Sequence, residues 1–202
     1  MLGAEKLDVM LSKSEMRTLM LKRRKAYVET LGEETRENIS LHLVQRLMDY
    51  FIFPMDCVVG SYFPLTEEQN VRLLNFSLKG DGLDVGYPRV GPEGLLTYHL
   101  VSSPQELIVG KYGIYEPSEQ APQISPDLFI VPLVAFDDRC HRLGYGQGNF
   151  DRTLKKAREA KKVLAIGVAY DMQKVDYIAN ESFDQPMDYV VTESQIYKAE
   201  KK

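Results

Sequence analysis

Residues 127–136, which read DLFIVPLVAF, decide the fold. They form the most hydrophobic stretch of the chain, and a continuous apolar run of this length is typical of a strand that is covered on both faces of a parallel sheet. Pro132 should interrupt the strand, because proline cannot donate to a sheet ladder. A glycine-rich turn, a helix predicted over residues 149–160 and an apolar strand predicted over residues 163–170 (VLAIGVAY) follow.

The rest of the chain also alternates between helical and strand-like segments. Helices are predicted over residues 12–31, 35–51 and 67–79, and strands over residues 57–63, 83–87, 95–101 and 189–192, the last of the chain. Ser12 and Glu15 have the spacing of a capping box, and Gly80 is expected to cap the third helix. Residues 102–124 are rich in loop formers. The alternation predicts an α/β three-layer sandwich, with a mainly parallel central sheet flanked by helices.

The composition is that of an ordinary globular protein, with 44% hydrophobic and 27% charged residues among 202. This length suggests a single domain over residues 1–202. A formal net charge of −4 argues against nucleic acid as a partner, and no apolar run is long enough to cross a bilayer. Glu5 and Asp8 stand where a targeting peptide would be basic, so a cytoplasmic location is expected. Cys57 and Cys140 are expected to be reduced thiols.

The strongest local signal is RLGYGQGNFDR, residues 142–152. Gly144, Gly146 and Gly148 permit positive φ, so that successive amides can form an anion-binding nest, and the following helix adds free N–H groups. Arg142 offers a planar fork of donors to a phosphate. The spacing is neither that of a Walker loop nor that of a dinucleotide-binding loop. The alternative interpretation is a flexible connection between a strand and a helix.

Two carboxylates are candidates for holding Mg²⁺, a cation that prefers oxygen ligands. Asp151 falls in the first turn of the predicted helix, where its alternative role is to compensate the helix dipole. Asp188 precedes the predicted strand over residues 189–192, and it could equally be an ordinary residue at a strand end.

Six segments in chain order form a pattern that no single segment would establish. They are Lys13-x-x-x-Arg17, YFPLTEE (62–68), PRV (88–90), GIYEP (113–117), residues 127–151 and DYVVTE (188–193). Together they resemble the 5-formyltetrahydrofolate cyclo-ligase (methenyltetrahydrofolate synthetase) family. The chain departs from that family at Cys140, where glycine is usual, and at Asn149 and Phe150, where paired tyrosines help line the folate and nucleotide site.

The resemblance implies a ligase of folate and one-carbon metabolism that uses ATP and Mg²⁺. Such an enzyme closes 5-formyltetrahydrofolate to 5,10-methenyltetrahydrofolate and releases ADP and phosphate. Transfer of the γ-phosphoryl group to the formyl oxygen makes an imidate phosphate, which the 10-position nitrogen attacks as phosphate leaves. The implied partners are small molecules, and a monomer is expected.

The resemblance also implies roles for individual residues. Lys13, Arg17 and Arg142 are expected to bind the phosphates, with Lys13 and Arg142 as the catalytic pair. The nucleotide site is expected to continue through Leu143, Gly144, Tyr145, Gly146, Gln147, Gly148, Asn149 and Phe150. The folate site is expected to include Tyr62, Phe63, Glu68, Glu116, Asn149 and Phe150, and the magnesium site Asp151 and Asp188. Arg23, Arg24 and Lys25 match nothing and are expected to be surface charges.

Two other hypotheses remain open. The changes at Asn149 and Phe150 are compatible with a paralogue that binds folate or nucleotide without turnover. From the fold class alone, a sugar-phosphate isomerase or an acyl-transferase relative is also conceivable, since one α/β fold hosts many functions. Dependence of turnover on ATP separates these hypotheses from the cyclo-ligase. The adjacent pair Cys140 and His141 is not expected to act as a thiol catalyst, because neighbouring residues rarely present such a pair correctly.

Overall fold

The computed structural model describes residues 11–110 and 113–200 of the chain. The helices in this part are α1 (Lys13–Thr30), α2 (Glu33–Tyr50), α3 (Arg72–Gly80) and α4 (Asn149–Ala160). The first strands are β1 (Val59–Gly60), β2 (Val85–Val90), β3 (Leu96–Leu100), β4 (Leu107–Val109), β5 (Tyr115–Pro117) and β6 (Gln123–Ile124). The remaining strands are β7 (Leu128–Pro132), β8 (Ala135–Phe136), β9 (Arg142–Leu143), β10 (Leu164–Val168), β11 (Tyr189–Val191) and β12 (Ile196–Lys198).

Within the described residues, eight strands form the central sheet in the order β12-β11-β10-β7-β1-β2-β3-β6. The five strands from β11 to β2 in this order pair in parallel, whereas the β2–β3, β3–β6 and β11–β12 pairs are antiparallel. Two small antiparallel pairs, β4–β5 and β8–β9, stand outside the sheet. The predicted α/β class with a mainly parallel sheet is therefore confirmed.

Strand β7 explains why residues 127–136 are apolar without alternation. Ile130 packs in one cluster with Leu43 and Leu47 of α2 and with Leu74 of α3. Phe129 and Val131 point to the other face, where the cluster includes Leu154 of α4. Because helices cover both faces, every position of β7 must be apolar.

Two helices begin where their local chemistry predicts. Ser12 caps α1 in a full capping box, in which its side chain accepts from the Glu15 N–H and the Glu15 carboxylate accepts from the Ser12 N–H at 2.9 Å. Helix α4 starts directly after Gly148, whose φ of 66° marks the end of the glycine-rich turn. Helix α2 starts at Glu33, two residues before the predicted position.

Several predicted boundaries are corrected by the structure. Helix α3 starts at Arg72 rather than at residue 67, because residues 65–68 form a turn in which the Glu68 N–H bonds to the Leu65 carbonyl; the helix is capped by Asp81 rather than by Gly80. The strand predicted over residues 57–63 is only β1. The apolar run splits after Pro132 into β7 and β8, and β12 follows the strand that was expected to be the last. The loop-rich residues 102–124 contain β4, β5 and β6.

None of the helices in residues 11–110 and 113–200 is long and apolar enough to cross a membrane. The N-terminal residues 1–10, where Glu5 and Asp8 bear on targeting, lie outside the described part. Cys57 and Cys140 are both free thiols.

Candidate active site

A cavity of about 640 Å³ opens at the carboxyl ends of β1, β2 and β7, the edge at which open α/β sheets bind ligands. Its walls come from α1, the loop after β1, the β4–β5 pair, the glycine-rich turn and the segment over residues 181–184. Of the predicted site residues, those on its lining are Lys13, Arg17, Tyr62, Phe63, Glu68, Glu116, Arg142, Leu143, Gly144, Tyr145, Gly146, Gln147, Gly148, Asn149, Phe150 and Asp151. The fold thus brings together residues that lie far apart in the sequence.

The glycine-rich turn between β9 and α4 requires its glycines. Gly146 has a φ of 94° and Gly148 a φ of 66°, both in the left-handed region that other residues avoid. A Cβ on Gly146 would lie 3.1 Å from Cζ of Arg17, and one on Gly144 would lie 2.9 Å from Nη1 of Arg142. Two guanidinium groups therefore lie against the main chain of the turn. No side chain from the described residues caps the amino end of α4.

Three cationic side chains reach this end of the cavity. Arg17 donates from Nε to the Gly144 carbonyl oxygen at 2.7 Å. Arg142, whose side chain is only 5% exposed, donates from Nη2 to Oδ1 of Asp151 at 2.7 Å. In the part of the chain that the structure describes, its buried Nε finds no hydrogen-bond partner, an unusual state for a charged group. Burial lowers the pKa of Arg142, and the neighbouring Asp151 counteracts this effect.

Lys13 contacts the segment on the opposite rim. Its Nζ bonds to Oε2 of Glu181 at 2.7 Å and to Oδ2 of Asp184. Partial burial lowers the pKa of Lys13, but the hydrogen bonds to Asp184 and Glu181 outweigh this effect and raise it overall. Two of the three cations, Lys13 and Arg142, thus have carboxylates as partners.

Asp188 does not reach the cavity. Its carboxylate accepts from the Ala165 N–H at 2.8 Å and from Arg158 at 3.1 Å, which holds it against β10 and α4. Of the predicted magnesium pair, Asp151 and Asp188, the structure therefore places only Asp151 on the cavity lining. Two acidic side chains that the sequence did not indicate, Glu181 and Asp184, also line the cavity. In the described part of the chain, no three His, Cys, Asp or Glu side chains are grouped at metal-binding spacing.

The other end of the cavity contains aromatic side chains and the buried acid Glu68. Phe63 stacks on Tyr87 with ring centroids 3.9 Å apart. Glu68 is 4% exposed; its Oε2 accepts from the Leu65 N–H and its Oε1 from the Tyr145 hydroxyl, both at 2.9 Å. Burial raises the pKa of Glu68, while these two hydrogen bonds lower it.

The similarity to known proteins agrees with this geometry. A sequence model of the 5-formyltetrahydrofolate cyclo-ligase family matches residues 9–193. The chain belongs to this family. It is 30% identical over 177 residues to the 5-formyltetrahydrofolate cyclo-ligase of Escherichia coli, a match that covers 83% of this chain and 95% of the relative.

Solved structures have the same fold. The 5,10-methenyltetrahydrofolate synthetase of Aquifex aeolicus aligns with a TM-score of 0.76 at 30% identity, over 94% of each chain. The synthetase of Mycoplasma pneumoniae aligns with a TM-score of 0.70 at 21% identity, over 91% of this chain and 99% of that chain. The predictions of the cyclo-ligase family and of an enzyme are confirmed.

The departures from the cyclo-ligase family now have a structural description. Cys140 adopts a φ of 59°, which explains why glycine is usual at this position. Burial raises the pKa of Cys140 to about 12, so the thiol is not a nucleophile near neutral pH. Oδ1 of Asn149 accepts from Arg152 at 3.0 Å, and the Phe150 ring lies 5.5 Å from Cζ of Arg142.

Glu116 lines the cavity, but its carboxylate already has partners. Oε1 accepts from Arg89 at 3.0 Å, and Oε2 accepts from the Val90 N–H at 3.2 Å. These contacts brace β5 against β2.

Arg24 was expected on the surface, yet it is only 2% exposed. It lies on the same face of α1 as Lys13, Arg17 and Met20, a spacing of four, three and four residues that follows the helical period. This helical spacing was the sequence signal that could have indicated the burial of Arg24. The neighbouring Arg23 and Lys25 are exposed, so the three residues together resemble a run of solvated charges.

Proposed function

We propose that this protein closes 5-formyltetrahydrofolate to 5,10-methenyltetrahydrofolate, with ATP as the second substrate and Mg²⁺ as cofactor, and releases ADP and phosphate. The observation that carries the proposal is one cavity with two unlike ends. An anion-binding turn with three cations forms one end, and an aromatic wall with the buried Glu68 forms the other. We also propose that the protein acts as a cytoplasmic, monomeric, single-domain enzyme on small molecules.

The phosphate end fits a nucleotide because its polar groups are incompletely satisfied. Among residues 11–110 and 113–200, the buried Nε of Arg142 has no hydrogen-bond partner and no side chain caps the amino end of α4. Residues 144–148 add main-chain amides around two left-handed glycines, which is the arrangement of an anion nest. Lys13 would have to exchange its carboxylate partners for phosphate oxygens, and that exchange couples nucleotide binding to residues 181–184.

Asp151 and Asp184 are the residues we propose for Mg²⁺, since both line the cavity and both offer carboxylate oxygens. When bound, the cation would neutralise charge on the phosphates. Asp151 also accepts from the Gln185 N–H at 3.1 Å, so it joins the amino end of α4 to the segment that carries Asp184.

The reaction requires the protein to position its two substrates and does not require a nucleophile from the protein. The formyl oxygen is a poor leaving group until it carries a phosphoryl group; the 10-position nitrogen then forms the new bond and that oxygen leaves as phosphate. The cations and amides would stabilise the charge spread over the transferred phosphoryl group, and Glu68 would orient the folate ring system. Aromatic side chains on the cavity lining would shield the activated formyl group from water, which would otherwise compete for it.

The direct test is turnover. Purified protein mixed with 5-formyltetrahydrofolate should produce the methenyl absorbance band only when ATP and Mg²⁺ are both present, with one ADP and one phosphate per product. Samples without ATP, and samples with a chelator, are the controls. A folded protein that binds nucleotide and folate in calorimetry but forms no product would refute the proposal and favour the non-catalytic paralogue. Recovery of turnover in Asn149→Tyr would then trace that loss to the changed residue.

A further inference from the structure

A chain of buried hydrogen bonds runs from Arg24 to the folate end of the cavity. Nη2 of Arg24 donates to the Tyr145 hydroxyl at 2.6 Å, and Nη1 donates to the Leu133 carbonyl oxygen at 3.2 Å. The Tyr145 hydroxyl in turn lies 2.9 Å from Oε1 of Glu68. Arg24 and Glu68 belong to distant parts of the sequence, and Tyr145 belongs to the glycine-rich turn between them in space.

The side-chain types determine which group donates and which accepts in each of these hydrogen bonds. Arginine has donors but no acceptor, so the Tyr145 oxygen must accept from Arg24. The single phenolic proton is then free to point only at Glu68, whose carboxylate is the acceptor. A hydroxyl that is polarised by a cation is a stronger donor, and charge-assisted bonds of this kind favour the ionised carboxylate.

The Leu65 N–H also favours the ionised carboxylate, because it donates to Oε2 at 2.9 Å, but it is a main-chain group that no side-chain substitution removes. The charged or titratable groups that face Glu68 are Arg24, Tyr62, Glu67, Tyr145 and Tyr170. The Tyr62 hydroxyl donates to the Gln69 carbonyl at 2.7 Å, and the Tyr170 hydroxyl donates to the main-chain carbonyl of Glu68 at 3.3 Å. Neither hydroxyl reaches the carboxylate, and Glu67 opposes its ionisation.

We propose that Arg24, acting through the Tyr145 hydroxyl, is a positioning residue that keeps the Glu68 carboxylate ionised and aimed into the folate end of the cavity. This inference rests on the proposed function. It assigns Tyr145 two tasks: its amide belongs to the phosphate-binding turn, and its side chain serves the folate end. Arg24 itself touches neither substrate.

Removal of the hydroxyl should therefore affect the two substrates differently. In Tyr145→Phe, the KM for 5-formyltetrahydrofolate at neutral pH should rise about tenfold, near the lower end of what a hydrogen bond to a charged group contributes. The KM for ATP should stay within about twofold, because the main chain of the turn is unchanged.

Glu68 without its donor should also have a higher pKa. Because the proposed role requires the ionised carboxylate, the acidic limb of kcat/KM should move to higher pH by about one unit.

The variants Arg24→Gln and Arg24→Lys distinguish the effect of the positive charge of Arg24 from the effect of its side-chain shape. The neutral variant should move the acidic limb in the same direction as Tyr145→Phe, whereas the lysine variant, which keeps the positive charge, should lie closer to wild type. The matched control is Tyr170→Phe, which deletes a hydroxyl that is bonded to the main chain of Glu68 rather than to its carboxylate. If Tyr170→Phe shifts the pH profile of kcat/KM as much as Tyr145→Phe does, a general loss of packing around Glu68 explains the effect and the proposal is wrong.

A titration without substrate keeps this inference separate from the proposed function. Carbon-13 NMR of glutamate-labelled protein follows the Glu68 carboxyl, which Glu68→Gln assigns by deletion. The pKa of Glu68 should be higher in Tyr145→Phe and Arg24→Gln than in wild type. An unchanged pKa in both would overturn the positioning role, whether or not the wild-type protein turns over folate. A raised pKa together with no turnover in wild type would support the relay and reject the reaction.

Discussion

Arg142→Ala is expected to lower kcat/KM for ATP by about 100-fold or more, the loss typical of removing one donor to a developing oxyanion. The Arg142 side chain is 5% exposed and lines the same cavity as the glycine-rich turn. Alanine removes this donor and also leaves the Asp151 carboxylate without its cation. Steady-state kinetics at varied ATP, with folate saturating, should show both a higher KM and a lower kcat.

The chain offers a matched control for this substitution. Arg158 pairs with Asp188 outside the cavity much as Arg142 pairs with Asp151 inside it. Arg158→Ala should therefore keep ATP kinetics within about threefold of wild type, as is usual for a partly exposed ion pair. Circular dichroism establishes that both variants are folded. ATP kinetics of folded Arg142→Ala within threefold of wild type would remove Arg142 from the phosphate site.

Asp151→Asn is expected to raise the Mg²⁺ concentration for half-maximal activity by at least about tenfold, the order of effect expected when a metal site loses a charged ligand. Asparagine keeps the shape of the side chain and can still accept from the Gln185 N–H, but it carries no negative charge. The defect should therefore be overcome by excess Mg²⁺, which a folding defect would not be. A titration of activity with MgCl₂ at constant ionic strength measures the shift.

Asp188→Asn is the companion variant, because Asp188 was the other carboxylate that the sequence favoured. Its carboxylate bonds to Arg158 and to the Ala165 N–H, so we expect some loss of thermal stability and an unchanged Mg²⁺ requirement. The reverse pattern, with Asp188→Asn sensitive to Mg²⁺ and Asp151→Asn insensitive, would contradict the metal assignment made from the cavity.

The parts of the fold and site that could be predicted are those with local chemical signals. Helix α4 has the predicted bounds because Gly148 precedes it and supplies the left-handed residue that ends the turn. The apolar run over residues 127–136 predicted a central strand because burial on both faces leaves no room for polar positions. The turn and Arg142 share one short segment, so their proximity followed from the chain itself.

The parts that were missed depend on contacts between distant segments. Asp184 lies in an irregular stretch without periodicity, and only the fold brings it to Lys13. Arg24 is surrounded in sequence by charges that are solvated, and its burial depends on how α1 packs over β8 and β9 through Met20. Asp188 belongs to a segment that resembles the cyclo-ligase family, whereas Asp184 does not. Hydrogen bonds to Arg158 and to the Ala165 N–H nevertheless hold Asp188 outside the cavity.

The central claim is that main-chain amides of the glycine-rich turn bind the nucleotide phosphates. Nitrogen-15 NMR of the full chain, titrated with a non-hydrolysable ATP analogue and Mg²⁺, tests it most directly. We predict that the amide signals of residues 144–148 shift saturably, with the dissociation constant that calorimetry gives for the same analogue. Saturable binding that leaves these five amides unmoved, and instead shifts residues of a separate cavity lined by His42, Arg46 and Glu193, would contradict the account.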